Sequence, residues 1–473
     1  MPSRLYARSL LCLTAVLAIA SPGTATARTH QQEVPDLIHG KVSAPSVLDD
    51  LLSKQKADGL PELPLNPNEA LIDITTKFSR ALGVEQDATE TITRAQLSPR
   101  ISGRMALALQ ALLVCHQVTT DALSGLSEAE LLLLAAGDRP PSASLVDGLT
   151  ACAPQVVDSA LELKAAFATQ EPGGDGCTSS IHVWPIFHAK CHGGGAEIRN
   201  DYVLIVDNAG GDDLYFNNAG GNLLDVTHDP ATGEPAVGCQ WIPDLTAGKC
   251  VPSAAMVLDL EGNDTYGELE TPDVDATLNC TSDMVVRRIV LQGSGFAGVG
   301  VLIDDSGDDT YLGKTIAQGS GHIGGIGILR DPEGVNTYTA IRNSQGFGLA
   351  AGLGLLQQGH TAQHDYAEGH FDYYMPEGGV VSDTGQCDSV PRHMQGAGVL
   401  GGAGALISLL SSSDSYRSPA TGQGFGTSGG AGIFVDWMHM GTYEGVPGRG
   451  PHTEVLPSAS NTGYFSDMGF VGP

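Results

Sequence analysis

Aspartates recur at two fixed positions of a short motif in the C-terminal half of the chain, and clustered carboxylates are typical ligands of hard cations such as Ca²⁺. The motif is an apolar run followed by Asp, two residues, Gly, one residue, Asp, one residue and Tyr, as in VLIDDSGDDTY at Val301–Tyr311. Aligning its copies on the tyrosine gives two columns of aspartates. A bound cation is one remedy for the repulsion between carboxylates in such a column, beside exposure to water and hydrogen bonds to backbone amides.

The same motif also has a purely structural explanation, because an Asp can cap its own turn and a Gly can supply a left-handed residue. The turns SGDDTYLG and EGNDTYGE resemble the Gly/Asp-rich nonapeptide repeats of secreted bacterial RTX proteins. In that family, carboxylates and carbonyls from the turns of stacked coils bind Ca²⁺. The resemblance covers about 8 of every 27 residues, and here the nonapeptides are not in tandem. The resemblance implies that Asp259, Asp264, Asp304, Asp309 and Asp331 bind Ca²⁺.

A histidine-rich segment interrupts the motif and is the candidate for acid–base chemistry. GHTAQHDYAEGHFDYY, residues 359–374, stands where the next Asp-x-x-Gly turn is expected. His, Asp and Tyr serve as general acids, general bases or metal ligands, and His titrates near neutral pH. His322 and His393 could share a face with this segment, although a degenerate coil with an exposed polar loop is the alternative. The candidate catalytic residues are His360, His364, Asp365 and His370, with Asp372 beside them.

A second histidine cluster has the residue types of a zinc site without its spacing. IHVWPIFHAKCHGGG contains His182, His188, Cys191 and His192, and imidazole and thiolate are zinc ligands. The spacing matches no compact zinc motif, and a disulfide at Cys191 would remove its thiolate, so a structural role is favoured. The glycines predict no phosphate-binding loop, because no Gly-rich turn is followed by Lys-Ser/Thr and a helix.

The aspartates belong to a longer repeat that must position them. Its tyrosines are Tyr266, Tyr311, Tyr338, Tyr416 and Tyr443. A Gln-Gly-x-Gly signature accompanies the later copies and begins at Gln292, Gln318, Gln345, Gln395 and Gln423. The glutamine spacings are 26, 27, 50 and 28 residues, and we interpret the spacing of 50 as two units with a degenerate middle one. An earlier, one-residue-longer copy consists of Asp207, Gly210, Asp212 and Tyr215.

A unit of about 27 residues is too short to bury its own apolar face, but stacked units bury a continuous core and satisfy each other's backbone groups. The repeat therefore predicts a parallel β-solenoid, in which residues one unit apart become neighbours at the strand spacing of about 4.8 Å. The coil length also resembles that of right-handed parallel β-helices in secreted polysaccharide-acting proteins. An uneven antiparallel sandwich, which needs no identical spacing, is the alternative.

The remaining segments predict an α+β, multi-domain chain. Residues 1–27 have the basic start, apolar run and small-residue end of a secretory signal peptide. Apolar residues three and four apart predict a helical N-terminal cap domain at 44–170, which a linker at 28–43 precedes. The β-solenoid is predicted at 178–445 and a C-terminal tail at 446–473. Ser127 and Glu130 fit a capping box at a helix start.

Cysteine number and charge constrain the compartment and the partners. Eight cysteines follow the signal peptide, an even number that favours disulfides in an exported protein. Cys177–Cys191 and Cys239–Cys250 are the nearest pairs, and Cys115 with Cys152 could join two helices. Beyond residue 27 the chain has 22 Lys and Arg against 54 Asp and Glu, a net charge of −32. Such a charge disfavours nucleic acid and anionic membranes and attracts cations.

These patterns predict a secreted, non-catalytic β-solenoid with a calcium-binding acidic ladder and a surface or binding role. Its partners would be cations and a polysaccharide or a cell-surface component, and no later segment is apolar enough for a membrane span. The alternative is a carbohydrate-acting hydrolase or lyase on the same scaffold, with the histidines of residues 359–374 as acid and base. In that case Arg330, Arg342 and Arg392 are the bases available to an anionic sugar.

Overall fold

The structure is a computed structural model, and it describes the chain from residue 62 onward with gaps. The described residues are 62–135, 139–167, 180–191, 193–208, 210–227, 239, 249–267, 290–313, 315–340, 343–358, 366–369, 395–409, 415–417, 423–427, 430–437, 442–444, 454–455 and 463–468. The predicted signal peptide and linker lie outside these residues.

Helices form the N-terminal part of the described chain, as the apolar spacing predicts. They are α1 (Pro67–Ala81), α2 (Thr89–Ala95), α3 (Pro99–Leu123), α4 (Glu128–Ala135) and α5 (Ala143–Phe167). Helix α3 begins where the Ser98 side chain accepts a hydrogen bond from the Ile101 amide, which satisfies one of the free donors of the first turn. The predicted capping box before α4 is confirmed, since the Ser127 amide donates to Glu130 Oε2 and the Glu130 amide to Ser127 Oγ.

The remainder of the described chain is built from short strands, most of them in three parallel sheets. Strands of the large sheet, in spatial order, are β1 (Ile181–Val183), β2 (Phe187–Lys190), β4 (Leu204–Asp207), β8 (Ala254–Asp259), β11 (Val299–Asp304), β14 (Ile326–Asp331), β17 (Leu353–Gln358), β20 (Ala403–Leu409), β23 (Ala431–Trp437), β26 (Gly463–Met468) and β25 (Glu454–Val455). Its two end pairs, β1 with β2 and β25 with β26, are antiparallel. Strands β25 and β26 both lie within the range 446–473 predicted as a C-terminal tail, so the large sheet extends beyond the predicted end of the solenoid at residue 445.

Two smaller sheets contain the repeat's tyrosines and glycines. The tyrosine sheet comprises β3 (Glu197–Ile198), β5 (Leu214–Tyr215), β9 (Thr265–Tyr266), β12 (Thr310–Leu312), β15 (Thr337–Ala340), β18 (Tyr366–Gly369), β21 (Ser415–Arg417) and β24 (Thr442–Glu444). The glycine sheet comprises β10 (Gly295–Phe296), β13 (Gly321–His322), β16 (Gly348–Leu349), β19 (Gly398–Val399) and β22 (Gly426–Thr427). An antiparallel pair, β6 (Leu223–Asp225) and β7 (Cys250–Pro252), lies apart from them.

The chain passes from the glycine sheet to the large sheet to the tyrosine sheet and then begins again one layer further on. Each strand pairs in parallel with its counterpart in the next unit, for example β11 with β14 and β12 with β15. Tyr311 is the register partner of Tyr338, 27 residues later. The prediction that residues one unit apart become neighbours is confirmed here, and the parallel pairing excludes the antiparallel sandwich.

The interpretation of the 50-residue glutamine spacing as two units is wrong. Strand β16 pairs directly with β19, and Leu353 of β17 is the register partner of Ala403 of β20. Residues 345 and 395 therefore belong to successive units, and the extra length is an insertion within one unit. Sequence periodicity alone does not distinguish an insertion from a degenerate unit, because both lengthen the spacing by a similar amount.

Alternate residues of each large-sheet strand face two different cores, which is why the strands are apolar without a period of two. Val301 and Ile303 of β11 belong to a cluster that also contains Leu109 of α3 and Leu149 of α5. Leu302 between them belongs to the tyrosine cluster. The helices thus cover one face of the large sheet, with contacts from α3 to β8 and from α5 to β8, β11 and β14.

Disulfides and apolar helices agree in part with the sequence predictions. Cys115–Cys152 joins α3 to α5, and Cys239–Cys250 closes a short loop. Cys191 is also disulfide-bonded, while its predicted partner Cys177 lies outside the described residues. Among the described helices, α3 alone has the length and hydropathy of a membrane span, and 72% of its apolar window is buried inside the protein.

Candidate metal centre

The aspartates of the motif form two buried columns along the parallel sheets. The first column follows the large sheet, where Asp207 is the register partner of Asp259 and Asp259 of Asp304. The second column immediately precedes the strands of the tyrosine sheet. We call these seven residues the acidic stack: Asp207, Asp259, Asp304 and Asp331 in the first column, and Asp213, Asp264 and Asp309 in the second. Each is at most 1% exposed, so contact with water does not relieve their mutual repulsion.

Tyrosine hydroxyls hold one oxygen of the first-column carboxylates. Tyr266 donates to Asp304 Oδ2 across 2.8 Å, and Tyr311 donates to Asp331 Oδ2 across 2.9 Å. Each tyrosine therefore reaches the aspartate of the following unit. The rings stack, with centroids of Tyr266 and Tyr311 4.8 Å apart and an interplanar angle of 2°. Burial, followed by the nearby carboxylates, raises the pKa of both tyrosines well above the ordinary value, which keeps them protonated as donors.

Backbone amides hold one oxygen of the second-column carboxylates. The Asp213 amide donates to Asp264 Oδ1, and the Asp264 amide donates to Asp309 Oδ1, each across 2.6 Å. The Asp309 amide continues the pattern to Asn336 Oδ1 at 2.9 Å. Each side chain therefore caps the turn of the preceding unit, whereas the motif by itself predicts an Asp that caps its own turn.

Three carboxylates in the middle of the acidic stack converge, and each has an oxygen that accepts no hydrogen bond. Asp264, Asp304 and Asp309 can each offer one oxygen such that the three lie within 4.8 Å of one another. Each also has an oxygen without a hydrogen-bond partner: Oδ2 of Asp264, Oδ1 of Asp304 and Oδ2 of Asp309. Oxygens bound to one Ca²⁺ at about 2.3–2.6 Å can be at most about 5 Å apart, so the spacing suits this ion.

The electrostatics of the three carboxylates favour a bound cation or a bound proton. Burial, opposed in part by the hydrogen bond from the Asp213 amide, raises the pKa of Asp264 to about 7. Burial and then the charge of Asp331 raise the pKa of Asp309 to about 9. The pKa of Asp304 is raised well above its ordinary value by burial and by Asp309. A divalent cation would restore the ionised forms, since metal ligands bind deprotonated.

The first layer of the acidic stack contains its own cation. Lys190 Nζ lies 2.7 Å from Asp213 Oδ2 and 3.0 Å from Asp207 Oδ2. Burial works to lower the pKa of Lys190, but its hydrogen bonds and the charges of both aspartates outweigh burial and raise it. Asp207, Asp213 and Asp259 also converge within 4.8 Å, but an ammonium group already lies against two of them.

Glutamines and glycines of the repeat complete the framework around the stack. Gln292 Nε2 donates to the Tyr266 carbonyl at 2.7 Å, and Gln318 Nε2 donates to the Tyr311 carbonyl at 3.0 Å. These bonds tie the turn after each tyrosine strand to the tyrosine backbone, and both glutamines have positive φ. In the turns between the aspartates, a Cβ on Gly334 would lie 1.3 Å from the Gly307 carbonyl oxygen. The motif's glycine is thus required by the close stacking of successive turns.

The structure brings together the five predicted cation ligands, although only Asp264, Asp304 and Asp309 share one cluster. Asp259 converges with the first layer. Asp331 accepts the Tyr311 hydroxyl. Sequence reasoning missed Lys190, because no copy of the motif includes strand β2. It also chose Asp212 where the structure places Asp213 in the second column; Asp213 stands two residues before Tyr215, as Asp264 does before Tyr266.

The other predicted sites receive less support. His360, His364, Asp365, His370 and Asp372, together with His393, lie outside the described residues. His322 is buried in β13 and packs against Phe347 with ring centroids 5.4 Å apart. In the zinc-like cluster, the rings of His182 and His188 stack across the β1–β2 pair, but the disulfide at Cys191 removes the thiolate. His192 lies outside the described part.

The chain matches no protein-family model, no curated protein and no solved structure in the three comparisons that we made.

Proposed function

We propose that this protein is a secreted, non-catalytic β-solenoid that binds Ca²⁺ inside its acidic stack. The solenoid assignment is supported by the three parallel sheets and by the repeated passage of the chain from one to the next. Secretion is supported by the disulfides, which form in oxidising compartments, and by the signal-like residues 1–27.

One observation carries the calcium proposal: three buried carboxylates converge, and each keeps an oxygen that accepts no hydrogen bond. A buried acceptor without a partner is costly, and a buried, unpaired charge is costlier still. Because no ion pair in the described part of the chain involves Asp264, Asp304 or Asp309, their charge must be balanced by protons or by a cation from solution.

Calcium is the cation that best fits the compartment and the ligands. It takes oxygen ligands in flexible geometries, whereas Mg²⁺ demands near-ideal octahedral geometry and retains several waters. Because each of the three carboxylates is at most 1% exposed, an ion bound there must exchange water for protein oxygens, which Mg²⁺ does reluctantly. Extracellular modules bind Ca²⁺ with dissociation constants of about 10⁻⁴–10⁻³ M, so a secreted protein would be loaded.

In this proposal the cation is part of the scaffold, and the scaffold presents a binding surface. Outside the buried stack the chain remains strongly acidic, with 54 Asp and Glu in all. An acidic exterior suits a cationic or neutral partner, and we propose a polysaccharide or a cell-surface component as that partner. Nucleic acid is disfavoured by the same charge.

Calorimetric melting of the full mature chain in EDTA and in millimolar CaCl₂ tests the proposal. Calcium should raise the melting temperature, because a ligand that binds only the folded state adds about 1.4 kcal/mol to the free energy of unfolding at about ten times its Kd. Magnesium at the same concentration should raise it less. Identical melting temperatures from micromolar to millimolar Ca²⁺ would contradict the proposal that the folded chain binds calcium.

Two variants locate the effect. Asp309→Asn keeps the side-chain volume and an oxygen that accepts the Asp264 amide, but it removes one ligand charge. The calcium-dependent rise in melting temperature should therefore largely disappear. Asp73→Asn is the control, because Asp73 is an exposed residue paired with Lys77 on α1 and should leave the rise unchanged. An equal rise in both variants would show that calcium binds elsewhere.

A further inference from the structure

Lys190 stands at the head of the first aspartate column. Strand β2 pairs with β4 so that Lys190 is the register partner of Asp207. The column therefore reads Lys190, Asp207, Asp259, Asp304 from one end. The Lys190 side chain is buried, with 4% of it exposed. Its Nζ contacts Asp213 Oδ1 at 2.9 Å, Asp213 Oδ2 at 2.7 Å, Asp207 Oδ2 at 3.0 Å and the Gly210 carbonyl oxygen at 3.4 Å.

We propose that Lys190 is a built-in cation, which occupies beside Asp207 and Asp213 the place that a metal ion takes among Asp264, Asp304 and Asp309. The inference rests on the proposed calcium site and adds that the acidic stack holds one metal ion where its carboxylates alone would hold two.

Convergence of three carboxylates in each cluster supports the comparison. In each, buried aspartates from both columns converge within 4.8 Å, two of them from the first column in the Lys190 cluster and two from the second column in the other. They differ in what balances the charge. Two carboxylates of the first cluster contact the Lys190 ammonium, whereas the second has carboxylate oxygens without a hydrogen-bond partner. Lysine provides a compact point charge with three donors, and these donors satisfy oxygens that a metal would otherwise bind.

The far end of the acidic stack is neutralised differently. Asn336 replaces an aspartate in the second column, where it accepts the Asp309 amide. Gln358 follows Asp331 in register in the first column. The carboxylates of the acidic stack are thus bounded by an ammonium group at one end and by amides at the other. The unbalanced charge is therefore concentrated at Asp264, Asp304 and Asp309 in the middle of the stack.

The number of Ca²⁺ ions bound per chain tests the inference. It is measured by equilibrium dialysis, with Ca²⁺ alone as the probe, for the wild type and three variants. Lys190→Ala removes the ammonium and leaves room for an ion among three carboxylates, so this variant should bind one Ca²⁺ more than the wild type. Lys164→Ala is the matched control, because Lys164 pairs with Asp305 at a half-buried position outside the stack; its stoichiometry should equal that of the wild type. Asp309→Asn should bind one Ca²⁺ fewer.

The outcomes separate the inference from the proposed function. A folded Lys190→Ala chain that gains no Ca²⁺ overturns the role of Lys190, while a loss in Asp309→Asn still supports the calcium site. No loss in Asp309→Asn overturns the proposed site, whatever Lys190→Ala does. If Lys190→Ala unfolds in EDTA, recovery of its far-ultraviolet circular dichroism in CaCl₂ supports the inference.

A double variant decides the case in which Lys190→Ala folds under neither condition. Lys190→Ala combined with Asp213→Asn removes the ammonium together with its nearest carboxylate. If Lys190 acts through its charge, this chain should fold and bind as many Ca²⁺ as the wild type. Failure of the double variant to fold would show that Lys190 acts through packing and would overturn the inference.

Discussion

At the scale of the residue, Asp264, Asp304 and Asp309 each have two separable groups of contacts. One oxygen accepts a hydrogen bond from a tyrosine hydroxyl or a backbone amide and so fixes the position of the neighbouring unit. The other oxygen has no hydrogen-bond partner and could bind a cation. The capping and calcium explanations of the motif are therefore compatible, because they use different atoms of the same carboxylate.

Without calcium, the free energy of unfolding should fall as the pH rises from 7 to 9. The folded, metal-free chain keeps protons on Asp264 and Asp309, whose pKa values are raised to about 7 and about 9, mainly by burial, whereas the unfolded chain has lost them. Stability falls wherever the folded state binds more protons. The expected loss is about 2 kcal/mol over this range for a single group titrating near 9.

Calorimetric melting in EDTA at pH 7, 8 and 9 measures this loss. The same series in saturating CaCl₂ is the control, and there the fall should be much smaller because the ligands are ionised throughout. A metal-free melting temperature that rises over this range would contradict the assignment of these carboxylates as protonated.

Replacing a ladder tyrosine by phenylalanine should destabilise the fold without changing its shape. Tyr311→Phe deletes the hydroxyl that donates to Asp331 Oδ2, and a hydrogen bond to a charged group contributes about 1.5–3 kcal/mol. Chemical denaturation measures the difference in the free energy of unfolding. Tyr202→Phe is the control, since Tyr202 is buried but lies outside the hydrogen-bonded tyrosine column; an equal loss there would remove the special role of the column.

At the scale of the element, backbone proximity between successive turns decides where glycine is required. A Cβ on Gly334 would overlap the Gly307 carbonyl, and its φ is +111°. Gly401 has φ +76° but no atom within 4 Å of the same position. These two glycines separate backbone strain from steric overlap.

Gly334→Ala should therefore cost clearly more than Gly401→Ala. The strain of a left-handed alanine is about 1–2 kcal/mol, and both variants incur a strain of this kind. Gly334→Ala must in addition separate two stacked turns, so we expect a total loss above about 3 kcal/mol, in the range of severe single substitutions. Equal losses in urea denaturation would show that the turns are not tightly stacked.

Much of the element pattern was predictable from the sequence, because a strict spacing becomes a strict register. The neighbouring positions of Tyr311 and Tyr338 and the helices between Pro67 and Phe167 follow from periodicity alone. The role of Lys190 was not predictable, since strand β2 carries no motif and its pairing with β4 appears only in the fold. The burial of the carboxylates was also not predictable, because Asp-rich turns are usually exposed.

At the scale of the whole molecule, the helices and one face of the large sheet share an apolar core, which is distinct from the tyrosine core on the other face. Residues of α3 and α5 belong to the same buried cluster as the outward side of β8, β11 and β14. His116 of α3 contacts Ser253 Oγ at 3.1 Å, and Lys164 of α5 pairs with Asp305. The predicted description of the helices as a cap is therefore refined, since they lie along the face of the large sheet.

Extra length is concentrated at one corner of the repeated unit, between the tyrosine and glutamine columns. Seven residues separate Tyr311 from Gln318 and Tyr338 from Gln345, but 26 separate Tyr266 from Gln292. The turn from the large sheet to the tyrosine sheet varies far less, from six residues between Asp304 and Thr310 to eight between the equivalent positions Gln358 and Tyr366. We therefore expect the first corner to tolerate insertions and the second to reject them.

An insertion of ten Gly and Ser residues after Gly313 should lower the free energy of unfolding by less than about 2 kcal/mol, because loop-closure entropy grows slowly with length. The same insertion after Glu333 interrupts the stacked aspartate turns and should prevent folding or abolish the calcium-dependent rise in melting temperature. Thermal melting of the two chains in CaCl₂ compares them. Equal tolerance at the two corners would contradict the distinction.

The corner after the tyrosine column gives this architecture an unusual freedom for descent with modification. A coil can be lengthened there by tens of residues in a single genetic event and still keep the strand register with its neighbours. The register depends on which strands pair and not on the number of residues between them. Two descendants of one ancestor could consequently diverge widely in size while every tyrosine of the interior stayed superimposable.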